Sequence, residues 1–359
     1  MKPVEIAFRR AFISSLQFRS RFKKNNFQSS LPPDLPENPT ILFLRQDRLG
    51  DAIISTPVLV ELYKKYPKGR FIVLLGENNA GIADMLPIPC EVVIYRKKLF
   101  SDLAMLWKLR KRKIDILIDL MDNPSSTSSI LAAMIAARFS VGIEKENSSI
   151  YNVLVPLIDK EKNHIARRIT ELLRPFGIDP ETVSYTPQLK NSMTEQVKER
   201  AGLVISAGTQ SHYAPNKVNA EIALGLLSQN FASEVLVLFD PKDKARAEEL
   251  IGLTNDPRIK LAQPTPSFFG YAKQLASCEF VVTPDTSSIH LCSAYHIPVV
   301  GMYAPLPPRL HYWTPIGVPY EMIVQSPSLE FIGSETVMDK IGSLMEKIKP
   351  HIHEQVLSQ

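Results

Sequence analysis

The stretch Thr40-Ile-Leu-Phe-Leu-Arg45-Gln-Asp-Arg-Leu-Gly-Asp51 decides the fold. Its short apolar run, Ile41–Arg45, reads as a buried strand. A polar turn with Gly50 follows, and apolar residues then recur at helical spacing over Asp51–Tyr66. Strand, tight turn and helix in that order open a βαβ unit. The alternation continues downstream. Phe71–Leu75, Glu91–Tyr95 and Asp115–Leu120 read as strands; Asn78–Met85, Ser101–Arg112 and Ser125–Ala137 read as helical. A helix over His164–Phe176 ends at Gly177, a residue suited to the left-handed position past a helix end. Residues 178–200 are polar, carry Pro180 and Pro187, and read as a linker region.

The pattern then restarts. Gly202–Ala207, Glu234–Phe239, Ile259–Ala262, Phe280–Thr283 and Pro298–Tyr303 read as strands. Asn219–Gln229, Asp243–Ile251, Ser267–Ala276 and Thr286–Tyr295 read as helices, and a last helix, Ser334–Lys349, closes the chain. The expected architecture is α/β: an N-terminal Rossmann-like domain over 40–185 and a C-terminal one over 186–359. Doubly wound sheets bind ligands at their strand C-termini, so the two domains are expected to face a central cleft.

Composition narrows the class. At 359 residues and 45% hydrophobic, the chain is too long for one compact core and too apolar for disorder. The longest apolar run, Ile130–Ala137, is eight residues, far short of a membrane span. Cys90, Cys278 and Cys292 are too widely spaced for a disulfide framework or a CxxC metal site, which points to a reducing, cytoplasmic compartment. The net charge of +5 is uneven. Residues 1–30 hold seven Lys and Arg against Glu5 alone, so they carry +6 and the remaining 329 carry −1. The body has no basic field for nucleic acid. In the leader, Phe8, Phe12 and Leu16 recur at helical spacing among arginines and lysines. It reads as a basic amphipathic helix lying peripherally on an anionic membrane surface, as a surface helix docked on the body, or as a frayed terminus. The proline-rich segment Leu31–Pro39 is its hinge, giving a leader-and-hinge region over 1–39.

Three strand-end segments carry the chemistry. Asp51, at a helix N-terminus, is a candidate general base with a lowered pKa, or simply a helix cap, with Asp47 paired to Arg45 or Arg48. Ile205-Ser-Ala-Gly-Thr-Gln-Ser-His-Tyr-Ala-Pro-Asn-Lys217 offers small residues, hydroxyls and one lysine before a helix. With Ser206 and Gly208 near its start, it suits a diphosphate, although a loop lysine is equally a solvated one. It has neither a Walker nor a GxGxxG pattern. Asp285-Thr-Ser-Ser-Ile-His290 is a second anion site, or an ordinary N-cap cluster beside a satisfied histidine. No HExxH, DxD or GxSxG element appears, so neither metal nor covalent hydrolytic chemistry is expected, and no cofactor.

Together these segments resemble glycosyltransferase family 9, the ADP-heptose:lipopolysaccharide heptosyltransferases and relatives. The resemblance rests on Arg45-x-Asp47-Arg48-x-Gly50-Asp51, Thr56-Pro57, His164-xxx-Arg168, Lys217 and Asp285-Thr286-xxx-His290, and spans about 40–349. It implies a GT-B fold and inverting, metal-independent transfer from a nucleotide-sugar, by implication ADP-heptose, to a lipid-anchored glycan such as lipid A-Kdo. By that resemblance Asp51 is the base and Lys217 binds the donor phosphates. Asp285 lies beside the donor sugar, with Thr286, Ser287 and His290 on the phosphate side. Asp243 falls near the ribose contact and Pro266 near the adenine. Arg45, Asp47, Arg48 and Asn123 fall on the acceptor side. Lys217-Val-Asn-Ala stands where the family usually has Lys-x-Trp-Pro, and Asp285-Thr-Ser where it has Asp-Thr-Gly. A sugar-nucleotide epimerase of the same fold and a non-catalytic nucleotide-sugar-binding relative are the alternatives.

Overall fold

The computed structural model describes residues 31, 34–146, 148–190, 195–265, 267–304 and 313–356, with side chains to residue 348. The leader and Pro266 lie outside the described residues. The chain divides into two compact units, Met1–Lys190 and Asn191–Gln359. No helix among the described residues is long and apolar enough to cross a membrane.

Unit 1 is built on a parallel sheet of β1 (Thr40–Arg45), β2 (Arg70–Gly76), β3 (Glu91–Tyr95), β4 (Ile116–Asp119), β5 (Phe139–Ile143) and β6 (Val153–Val155), ordered β3-β2-β1-β4-β5-β6. Ile41 to Leu44 are wholly buried, as a central strand covered on both faces requires. On one face Leu42 and Leu44 join a core with Leu74 and Leu117, completed by Leu106 of α3 (Leu99–Lys111) and Leu131 of α4 (Ser126–Ile135). Phe43 stacks on Phe71, centroids 6.3 Å apart.

The single helix expected over Asp51–Tyr66 is two, α1 (Leu49–Ile54) and α2 (Thr56–Lys65). Pro57 has no N–H to give the Ile53 carbonyl. The Thr56 hydroxyl donates to that carbonyl instead, at 2.7 Å, while Ser55 Oγ donates to the Asp51 carbonyl at 2.7 Å. These local side-chain bonds break the helix ladder just past Asp51. The helix expected over His164–Phe176 is α5 (Ile165–Thr170) followed by a 3₁₀ stretch, Glu171–Phe176, and Gly177 ends it at φ +69°.

Unit 2 repeats the plan with β7 (Arg200–Val204), β8 (Glu234–Leu238), β9 (Ile259–Leu261), β10 (Phe280–Pro284), β11 (Val299–Tyr303) and β12 (Tyr320–Val324), ordered β12-β11-β10-β7-β8-β9. Its helices are α6 (Asn216–Ser228), α7 (Lys244–Thr254), α8 (Phe268–Ala276), α9 (Ser287–Tyr295) and α10 (Ser334–Val356). Counted from its own first strand, each sheet has the order 3-2-1-4-5-6 of the dinucleotide-binding fold. That order reverses direction beside its first strand. The ligand crevice of such a sheet therefore lies between β1 and β4 in unit 1 and between β7 and β10 in unit 2.

Strands β5, β6 and β12 lie outside the expected set. β5 is interrupted by Ser140 and Gly142, and β6 has three residues. Gly142 has a packing reason: a Cβ there would lie 2.6 Å from the Tyr151 ring. Gly142→Ala is therefore expected to destabilise by about 1–3 kcal/mol through overpacking. Gly252→Ala, in α7 with open space around it, is expected to stabilise by up to about 1 kcal/mol. Urea midpoints of the two variants check the opposite signs.

Candidate active site

In unit 1 the chemistry sits at the C-terminal end of β1. Arg45 is buried, 2% exposed, and its guanidinium is turned inward. Nε donates to the Asp51 carbonyl (2.9 Å), Nη1 to the Leu120 carbonyl beyond β4 (2.7 Å), and Nη2 to Asp51 Oδ1 (3.1 Å). Asp47 lies 3.4 Å from Nε. Arg45 thus spans the crevice between β1 and β4 and orients Asp51. Three of its five N–H donors are engaged inside unit 1. Arg48, the N-cap residue of α1, is exposed and remains on the open side.

Asp51 is the third residue of α1, where the backbone N–H groups of the helix start favour its charged form. A helix N-terminus alone would lower its pKa. The structure reverses that expectation: burial, helped by nearby Asp122, raises it against the pull of Arg45 and Arg48. Asp47 is pushed up to about 6, first by burial, with Asp51 and Asp119 adding to it and Arg45 opposing.

The loop after β4 is held by two buried ion pairs. Lys145 Nζ meets Asp119 at 2.7 Å, with the Tyr151 hydroxyl on the same carboxylate, and Arg168 Nη2 meets Asp122 at 2.8 Å. Asn123 is exposed and accepts from Lys160 at 3.1 Å. His164 caps α5, its Nδ1 accepting from the Ala166 N–H at 3.1 Å. Asn79, fully buried, donates to the Arg45 carbonyl at 2.7 Å and accepts from the Gly76 N–H at 2.8 Å. Sequence reading missed Asn79, Lys145 and Tyr151, which lie far along the chain from the segment they hold.

In unit 2 the segment after β7 forms an open loop. A Cβ on Gly208 would meet nothing within 4 Å. Ser206 Oγ accepts from the Asp240 N–H at 2.7 Å, and the Tyr213 hydroxyl lies 3.0 Å from the Ala207 carbonyl and 3.1 Å from Asp243. Asp243 and the loop are therefore neighbours. Lys217, in the first turn of α6, is exposed and has no hydrogen bond or ion pair among the described residues.

Across the crevice of that unit, Thr286 is the N-cap of α9, its Oγ1 accepting from the Ser288 N–H at 3.3 Å. Asp285 and Ser287 flank it, half-buried. Ser288 Oγ shares a hydrogen bond with the Tyr271 hydroxyl at 2.8 Å. His290 is buried against Trp313, ring centroids 5.9 Å apart. Trp313 was not among the expected site residues; no local spacing links it to His290.

Comparison with known proteins agrees. The family model for glycosyltransferase family 9 (heptosyltransferase) matches residues 103–331. The chain belongs to glycosyltransferase family 9. Lipopolysaccharide heptosyltransferase 1 of Escherichia coli strain K12 is 24% identical over 333 residues, 85% of this chain and 99% of that one. Among solved structures, the Escherichia coli ADP-heptose lps heptosyltransferase II aligns at TM-score 0.70 and 18% identity, over 86% of this chain and 99% of its own. The Escherichia coli heptosyltransferase WaaC with ADP aligns at 0.69 and 18%, over 85% and 99%. The fold is thus GT-B, and this family 9 member is a glycosyltransferase of the heptosyltransferase type.

The raised pKa of Asp47 has a consequence for stability. The folded state binds its proton more tightly than the unfolded chain, so wild-type stability falls as pH rises from about 4 to about 6. Asp47→Asn removes that loss. Its urea midpoint relative to wild type is expected to climb over this window and level off above it.

Proposed function

We propose that the protein is an inverting transferase that needs no metal or cofactor and moves heptose from ADP-heptose to a lipid-anchored lipopolysaccharide-core glycan. One observation carries the reading: a carboxylate stands at the β1–β4 crevice, pinned by Arg45, with its pKa raised by burial. Inversion needs one group to take the acceptor hydroxyl's proton as that oxygen attacks the anomeric carbon. A carboxylate of raised basicity at a ligand crevice suits that step. The acceptor binds unit 1, where exposed Arg48 and Asn123 meet its anionic groups.

The donor binds unit 2. The departing diphosphate needs positive charge as it leaves. Lys217 supplies a mobile cation, and the N-terminus of α9, with Thr286 and Ser287, supplies backbone N–H groups. Asp285 and His290 border the sugar and phosphates, and Asp243 takes the ribose. The solved relative WaaC was obtained with ADP and with ADP-2-deoxy-2-fluoro heptose, which supports an ADP-sugar as the donor here.

Two variants separate the roles. With ADP-heptose and a lipid A-Kdo acceptor, Asp51→Asn is expected to lower kcat by about 10²–10⁴ while donor affinity by calorimetry stays near wild type. Unimpaired turnover removes Asp51 as the base. Lys217→Gln is expected to weaken ADP-heptose binding by roughly 10- to 100-fold, the worth of a lost charge-assisted bond. In wild type, kcat should fall as pH drops through a pKa above the usual carboxylate range, since the base must be ionised. Thermal shifts against ADP-, GDP- and UDP-sugars report the preferred base.

A further inference from the structure

Helix α3 carries a feature that the strand-end chemistry does not use. It buries Asp102, Leu106 and Leu109. Asp102 closes the helix start, accepting from the backbone N–H groups of Arg96 (3.2 Å) and Lys98 (2.7 Å). Four large apolar side chains are left in water: Leu99 is 68% exposed, Phe100 85%, Leu103 42% and Trp107 58%. At helical spacing they fall in one stripe about 100° wide and about 12 Å long. A clustered apolar stripe on a surface marks an interaction site, whereas isolated exposed residues do not.

Charge surrounds the stripe. Residues 96–113 hold eight Lys and Arg against one acid, the buried Asp102. Lys97, Lys98, Lys108 and Lys113 have no side-chain hydrogen bond or ion pair among the described residues. Lys111 Nζ sits 3.4 Å from the Trp107 ring centroid, setting a cation beside an indole, a pairing suited to the headgroup level of a bilayer.

We propose that this face of α3 docks the protein on an anionic lipid bilayer. Leu99, Phe100, Leu103 and Trp107 enter the headgroup–acyl boundary, and the unpaired lysines meet lipid phosphates. The apolar residues lie along one stripe of a single helix with cations around them, an arrangement that suits the apolar interior and anionic headgroups of a bilayer. The inference is independent of the transfer chemistry, since vesicle binding needs neither donor nor acceptor.

Trp107 reports on it directly. The full chain has two tryptophans, Trp107 and Trp313, and none in residues 1–30. Contact through the leader alone therefore leaves the Trp107 environment unchanged. On adding phosphatidylglycerol/phosphatidylethanolamine vesicles, indole emission is expected to move to shorter wavelength and become quenchable by brominated lipid. Trp107→Phe should lose this response. Replacing Lys97, Lys98 and Lys108 together by Gln is expected to weaken vesicle partitioning about a hundredfold, roughly fivefold per lysine. Vesicle binding with no change at Trp107 overturns the proposal, as does an equal response to phosphatidylcholine. Emission already typical of a buried indole before vesicles are added overturns it too. So does an equal response to soluble poly-glutamate, which would mark an acidic-protein site.

Discussion

The site of unit 1 depends on one buried guanidinium. Arg45 ends the central strand, and three hydrogen bonds from its guanidinium reach the backbone and carboxylate of Asp51 and the carbonyl of Leu120 past β4. Adjacent parallel strands diverge beyond their last ladder bond, and at a switch point nothing in the sheet itself joins the two loops. Arg45 does. A planar fork with several fixed donors can serve acceptors on two loops at once, which an ammonium cannot do with the same geometry. Removing such a group strands its partners in the interior, at a cost of about 3–5 kcal/mol for a broken buried pair. Asn79 completes the arrangement from below by holding the Arg45 carbonyl, so both ends of the residue are fixed.

The two units share a strand order but use their crevices differently. Unit 1 gathers four carboxylates, Asp47, Asp51, Asp119 and Asp122, balanced by the buried cations Arg45, Lys145 and Arg168. Crowded carboxylates with incomplete solvation are poor at staying ionised, and that raises Asp47 and Asp51. Unit 2 presents hydroxyls, helix N–H groups and the unpaired Lys217 at the same topological position. It attracts anions. One strand order thus carries different loop chemistry in the two units.

The strand–helix alternation was legible because core strands such as Ile41–Leu44 are apolar throughout, and buried strands in parallel sheets must be. The motif segments also fell at strand ends, where the fold needs them. Other features had no local signature. β6 is three residues, and β12 is a half-buried outer strand whose pattern is weak. The inward turn of Arg45 was hidden because spacing shows a charge at a strand end without showing which way it points. The pKa of Asp51 was misjudged for a related reason: the helix N-terminus is visible in sequence, whereas the burial that outweighs it is a property of the packed core. Asn79 and Lys145 act on residues 34 and 26 positions away, beyond the range of any short motif.

The residues after Lys217 show how a loop of this family can be held with different side chains. Val218-Asn219-Ala220 stand where a tryptophan and a proline are usual, so the rigidity of a large ring and a fixed φ is missing. Polar contacts take over. Asn216 Nδ2 donates to the Arg246 carbonyl at 3.0 Å and to Glu249, fastening the start of α6 to α7. Arg246 returns a bond to the Ala214 carbonyl and stacks over Tyr213, 5.2 Å from the ring centroid. Tyr213 in turn reaches Ala207 and Asp243. The chain of contacts runs from helix to loop to the residue proposed to meet the ribose, so replacing the apolar pair did not leave the loop unsupported. The support is polar, and the Lys217 side chain is left exposed, as the donor-phosphate role proposed for it requires.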